Sequence, residues 1–392
     1  MSYRQHAALA LAAILTGAGA SLLAEPVSND GPASQGGALA PQDNPTRVLE
    51  ASLLTDIESL IDRLADRRVI FVGEHHDRYE DHLNQLAVIQ GLHARGKSLA
   101  IGLEMFQQPY QADIDAYLAG EIDEPDFLRR TQYFDRWRFD YRLYRPILHF
   151  ARERGIPVIA LNLESELTRK VGDSGIGGLS EEERARIPAE IDRENLAYRA
   201  RIEAIFKHHP TEQQANFEHF LDVQLLWDEG MAERAARYLA EHPERTLVVI
   251  SGGGHVEYGQ GIPKRLMRRQ PVPMAILLNG NQRTPDPAAA DFFLYPQSAE
   301  LPPSGKLGVM LNSDMTGEGL LVDGLADDSG AKAAGLRAGD RILRVDDQPI
   351  RSYADIRIAL MDARPGRTVP VEVARNRLIG AEERLTLEVE LR

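Results

Sequence analysis

Four times along the chain an unbroken apolar run ends at once in a residue able to ligate or catalyse. Val69-Ile70-Phe71-Val72 passes through Gly73 into Glu74, His75, His76 and Asp77, and residues 99–103 end in Glu104. Residues 157–161 end in Asn162, and residues 246–250 end in Ser251-Gly252-Gly253-Gly254-His255. A short run without polar alternation is the pattern of a strand buried on both faces, as in a parallel sheet. Helical stretches at residues 50–65, 79–95, 146–154 and 216–241 separate these runs, and a fifth run at 274–278 ends in Asn279. The alternation predicts an α/β fold, a mainly parallel sheet flanked by helices. Right-handed crossovers put the carboxyl ends of such strands on one edge, so Glu74, His76, Glu104, Asn162 and His255 are expected to share a cleft.

Carboxylates and imidazoles in one cleft perturb each other's protonation and serve as base, acid or ligand. On that chemistry Glu74, His76, Glu104 and His255 are the candidate catalytic residues of a hydrolase, with Glu74, His76 and His255 as oxygen and nitrogen donors to a divalent zinc, manganese or iron ion. His75 is a weaker candidate, because neighbours in a strand or turn point apart, and His82 is expected to face solvent from its helix. Gly252-Gly253-Gly254 frees the backbone to approach a ligand and can form an anion-binding nest, although it lacks the spacing and the lysine of a phosphate loop. In QLLWDEGMA, helical spacing puts Gln224, Asp228 and Met231 on one face, where Asp228 can support a histidine. Arg265 can pair with a ligand carboxylate. Residues 109–144 form an insertion rich in aromatic side chains; most are expected to build its own core, and one or two to reach a ligand.

The start of the chain reads as a secretory signal over residues 1–24, with a weakly basic beginning, an uncharged run at 7–23 and small residues for cleavage. The expectation is an exported, periplasmic protein, membrane-associated if the segment is retained. Residues 25–46, rich in Gly, Pro and Ser, read as a flexible linker, and the prolines of 285–305 mark a second one. They leave one unit at 47–284 and another at 306–392. The 392 residues contain no cysteine, which excludes disulfides, thiolate metal sites and lipid attachment through cysteine. The net charge of −14 argues against a nucleic-acid partner.

In order and spacing, GEHHD, GLEMF, FDYRLYRPIL, GIPVIALN, QLLWDEGMA and GGGHVEYGQGIPKRL resemble the ChaN-type haem-binding domain over residues 48–279. That superfamily also includes Tiki-type metal-dependent proteases and erythromycin-esterase-like hydrolases. By the resemblance, Glu74, His76, Glu104 and His255 correspond to its acidic and histidine site residues. It further implies haem or iron uptake by a homodimer that holds haem through a tyrosine. Tyr110 and Tyr258 lie next to site motifs, and His255 and Arg265 complete the residues expected around the cofactor. The segment AGLRAGDRILRVDDQPI resembles the core of a PDZ domain, a small β-sandwich-like fold. Its Leu307, Gly308, Val309 and Met310 look like the carboxylate-binding loop and strand, with residues 353–363 as the helix beside the groove. A PDZ unit implies that a partner's C-terminal peptide adds to the edge strand. Two functions follow: an exported haem-binding protein with a docking module, or a metal-dependent peptidase with PDZ-guided substrates.

Overall fold

The computed structural model describes residues 53–208, 216–312, 317–376 and 382–392. The expected signal segment and the linker at 25–46 lie outside the described residues. Six strands, β1 (Val69–Glu74), β2 (Leu99–Gln107), β3 (Val158–Asn162), β4 (Thr246–Gly252), β5 (Met274–Asn279) and β6 (Phe292–Leu294), form one sheet. Its order is β3-β2-β4-β1-β5-β6 and every pairing is parallel. The apolar runs are buried on both faces, as their lack of alternation demands. β1 and β4 lie side by side at the centre, with Glu74 in register with Gly252. β2 runs past the expected end to Gln107, and its register against β3 slips after Leu103, next to Glu104.

Helices cover both faces of the sheet. The first described one, Ile57–Leu64, starts later than expected because Asp56 caps it, accepting the Ser59 amide at 2.9 Å. The long helix Phe217–Glu241 crosses the face opposite the aromatic insertion. Within that insertion Tyr117, Phe127, Tyr133, Phe134 and Tyr141 pack on one another and on Phe106 of β2.

The C-terminal unit is an antiparallel sheet of β7 (Val309–Leu311), β8 (Leu320–Leu325), β9 (Arg341–Val345), β11 (Thr368–Arg375) and β12 (Glu383–Glu390), with β10 (Gln348–Pro349) beside β9. Its order β12-β11-β9-β8-β7 leaves β7 at an edge. The helix Tyr353–Ala359 starts with a capping box of Ser352 and Asp355. It has two apolar faces. Ile356 and Leu360 belong to the core of this unit, whereas Ala354, Ile358 and Met361 join the core that contains the aromatic insertion.

Candidate functional site

β1, β2 and the loop after β4 deliver Glu74, Glu104 and His255 to the same edge of the sheet, and two histidine–carboxylate units form there. In the first, Glu74 Oε1 lies 2.8 Å from His76 Nδ1 and accepts the Tyr144 hydroxyl at 2.7 Å. Its Oε2 accepts the Gln85 amide at 2.6 Å and lies 3.3 Å from His82 Nδ1. His82 is therefore buried rather than solvent-facing, and its Nε2 lies 3.2 Å from the His76 carbonyl. Burial by itself would raise the Glu74 carboxyl, but His82 and His76 outweigh it and hold it well below the usual range. Burial would conversely lower His82, and Glu74 raises it above its ordinary value.

In the second unit His255 Nδ1 lies 2.7 Å from Asp228 Oδ1, and Nε2 lies 3.4 Å from Glu104 Oε1. Burial opposes the imidazolium, yet Glu104 and Asp228 together push it up to about 10. Glu104 is held low, against burial, chiefly by His255. Its Oε2 accepts the Gly252 amide at 2.7 Å, so the glycine loop already has an anion, the protein's own Glu104. Asp228 also accepts the Tyr198 hydroxyl at 2.6 Å. The absence of side chains brings the two units together. A Cβ on Gly252 would stand 3.1 Å from His76 Cε1, and one on Gly261 would stand 2.1 Å from the His255 carbonyl oxygen.

The insertion closes over this cluster. Trp137 and Phe139 meet the His76 ring at centroid distances of 4.7 and 5.0 Å, and Trp137 Nε1 donates to the Tyr144 oxygen at 3.3 Å. His76 Nε2 is buried and has no hydrogen-bond partner among the described residues. The arrangement holds an internal charge pattern, and the His76 imidazole also helps keep Glu104 ionised. It does not gather Glu74, His76 and His255 around one point, because Glu74 and His76 Nδ1 are spent on each other and His255 Nδ1 is spent on Asp228. No group of three such side chains among the described residues is placed to hold a metal ion, so the divalent-metal alternative finds no support in the donor geometry.

The remaining expected residues lie outside the cluster. His75 Nδ1 turns to Asp81 at 2.9 Å, and Asp81 also takes the Asn279 amide. Asn162 caps its own strand end, donating to the Glu104 carbonyl at 3.2 Å and accepting the Leu163 amide at 2.9 Å. Arg265 is fully buried, 3.1 Å from Glu229 and stacked on Tyr198, which leaves no room for a ligand carboxylate. Tyr110 sits under the Arg136 guanidinium, and burial raises its phenol. Tyr258 is 41% exposed. Leu307, Gly308 and Val309 line a cavity of about 490 Å³ between β7 and the helix Tyr353–Ala359, while Met310 faces outward, 58% exposed. Sequence reasoning missed the roles of Tyr144, His82 and Gln85, since each reaches Glu74 only through the folding of a separate element.

Comparisons with known proteins find a family match in each of the two units. A family profile described as "Haem-binding uptake, Tiki superfamily, ChaN" matches residues 60–266, and a PDZ profile matches residues 305–391. Protein RETICULATA-RELATED 5, chloroplastic, of Arabidopsis thaliana is 25% identical over 280 residues, 64% of this chain. The match takes in 38% of that relative, so the chain spans about two fifths of its length. Among solved structures, one on cofacial haem binding to ChaN of Campylobacter jejuni aligns with a TM-score of 0.49 and 15% identity, over 60% of this chain and 90% of that one. The serine endoprotease of Yersinia pestis aligns with a TM-score of 0.19 and 27% identity, over 22% of this chain and 28% of that one.

Proposed function

The chain belongs to the ChaN family of haem-binding uptake proteins in the Tiki superfamily and ends in a PDZ domain; from that premise we propose that it is an exported haem-binding protein of iron or haem handling that docks a partner's C-terminus. Haem needs an apolar face, an axial donor and cations for its propionates. The inside of the strand-end cluster fits it poorly: the space between Glu74, His75, Gly253, Leu278, Asn279 and Arg283 is about 10 Å³, and Trp137 and Phe139 close on His76. The fit is at the rim. Tyr258 presents an exposed phenol three residues beyond His255, from a backbone at φ 60°, an uncommon conformation for a bulky residue. Its amide donates to the Ala289 carbonyl at 2.8 Å, which pins that backbone. This exposed tyrosine is the observation that carries the reading.

Arg283, 3.4 Å from Glu257, and Arg78, 3.1 Å from Gln282, supply cations at the same rim. Bound haem would supply an iron centre that accepts an oxygen donor such as a phenolate. Tyr258 would hold that iron, Arg283 and Arg78 would face the propionates, and the buried cluster supports the loop that carries the tyrosine. A second copy of the chain covers the face that one surface tyrosine leaves open. The uncharged run at residues 7–23 supports export to the periplasm.

The test is a haemin titration of the full chain, read in the visible spectrum, with sedimentation of the loaded protein. A saturable Soret band is expected in the wild type and in Tyr110→Phe, and affinity weakened by about tenfold or more in Tyr258→Phe. Wild-type affinity in Tyr258→Phe removes that residue from the role, and no saturable band in the wild type removes haem binding. Sedimentation at the mass of one chain removes the second copy.

A further inference from the structure

The cavity beside β7 is walled by both domains. From the PDZ side it takes Leu307, Val309, Ile356 and Leu360, and from the aromatic insertion it takes Phe134, Asp140 and Arg142. The insertion is held there. Arg357 of the groove helix lies over the Phe134 ring at 5.0 Å, and Arg142 donates to the Pro302 carbonyl at 2.9 Å. The opposite face of that helix is buried in the core of the ChaN domain through Ala354 and Ile358. One wall of the groove therefore belongs to a different domain.

The charges of this groove oppose those of the molecule. The chain carries −14 overall, yet Lys306, Arg142 and Arg357 line the cavity against the single carboxylate of Asp140. Asp140 and Arg142 are committed to each other at 2.7 Å, which leaves Arg357 and Lys306 as the groove cations without a carboxylate among the described residues. Arg357 is bonded to the Tyr353 hydroxyl at 3.1 Å, and among the described residues no carboxylate pairs with it or with Lys306. The edge of β7 is open to a further strand, and the Leu307 and Gly308 amides donate to no backbone carbonyl of the described residues. An extended chain can pair with that edge, place its terminal carboxylate on those amides and bury an apolar last side chain among Leu307, Val309, Ile356 and Leu360. Residues further back then run past Arg357 along the insertion wall on which it rests.

We propose that the peptide site is a composite of the two domains, selecting C-terminal peptides that end in an apolar residue and carry acidic side chains a few positions upstream, read by Arg357 and Lys306 against the wall that Phe134 and the Arg142–Asp140 pair of the insertion supply. This rests on the proposed reading of the PDZ domain as a peptide-docking module and adds the partner's chemistry and a second domain to it.

The test is fluorescence anisotropy on the full chain with labelled decapeptides ending in valine. One carries glutamates at the third and fourth positions from the end, one carries lysines there, and a third is the glutamate peptide with an amidated C-terminus. The glutamate peptide is expected to bind about tenfold more tightly than the lysine peptide, and amidation to abolish binding. Arg142→Gln and Phe134→Ala, both outside the PDZ domain, are expected to shrink that preference to about threefold or less. Arg357→Glu is expected to reverse it in favour of the lysine peptide, a gain that a misfolded variant cannot produce. Carboxylate-dependent binding with equal affinity for both peptides, or with a preference that survives Arg142→Gln and Phe134→Ala, overturns the composite site and leaves the docking module standing. Binding of no peptide, or undiminished binding of the amidated one, overturns the docking module and the composite site with it.

Discussion

His255 is enclosed by Asp228 on one ring nitrogen and Glu104 on the other, so its charge is part of the stability of the fold. In the unfolded chain the imidazole titrates near 6.5, and in the native protein it rises to about 10. Stability from that difference is fully present below the unfolded value and is lost as pH climbs through the folded one. Glu104 and Glu74 have the opposite sign. Their folded values lie below the ordinary 4.5, so their contribution is present above that pH and is lost as acid protonates them. The cluster is therefore most stabilising between the ordinary carboxylate value of 4.5 and the ordinary imidazole value of 6.5. Calorimetry is expected to show the ChaN-domain transition falling from pH 6.5 toward 10. Asp228→Asn is expected to cost roughly 3 kcal/mol near neutral pH, because it removes one partner of a buried ion pair. It also flattens the alkaline decline, since His255 is then held up by Glu104 alone. An alkaline slope equal to that of the wild type would detach the decline from His255.

The strands were legible in the sequence because burial on both faces forbids polar interruption, and Glu74, Glu104 and His255 stood out because each follows such a run. Tyr144 did not, since its bond to Glu74 depends on how an insertion 70 residues away folds back over the sheet. The register slip after Leu103 and the burial of His82 were hidden for the same reason: both are set by neighbours rather than by local pattern. The helix Tyr353–Ala359 is the clearest case. Its sequence marks a groove helix, but the second apolar face formed by Ala354 and Ile358 becomes meaningful only beside the ChaN core. The two faces make separable predictions. Ile358→Asp is expected to cost roughly 2–3 kcal/mol at the domain contact, by burying a carboxylate without a partner. Hydrogen exchange is then expected to quicken around residues 127–134 while β11 stays protected. Ile356→Asp, which enters the PDZ core, is expected to expose β11 instead. Loss of β11 protection in Ile358→Asp would show that this helix has a single structural face.

Across the whole molecule, the two domains are clasped by charged side chains of unequal weight. Arg129 reaches Asp355 at 2.8 Å and Gln348 at 3.3 Å, whereas Arg145 reaches Asp362 at 2.7 Å. Asp355 is only 7% exposed, and besides Arg129 it accepts the Arg351 and Ser352 amides that start the groove helix. Burial would raise its carboxyl, and Arg129 with those amides holds it low. Asp362 is 65% exposed, and a pair so open to solvent is worth at most about 1 kcal/mol and is screened by salt. Arg145→Ala is accordingly expected to leave the domain arrangement intact, while Arg129→Ala loosens it and increases the radius of gyration measured by small-angle scattering. Arg129 does not line the peptide groove, yet the wall formed by Phe134 and Arg142 stays in place only while the clasp holds. Arg129→Ala is therefore also expected to weaken the preference for the glutamate peptide, and Arg145→Ala to preserve it. Equal scattering and equal peptide preference in the two variants would mean that the apolar contact through Ile358 and Met361 holds the domains together without the Arg129–Asp355 ion pair.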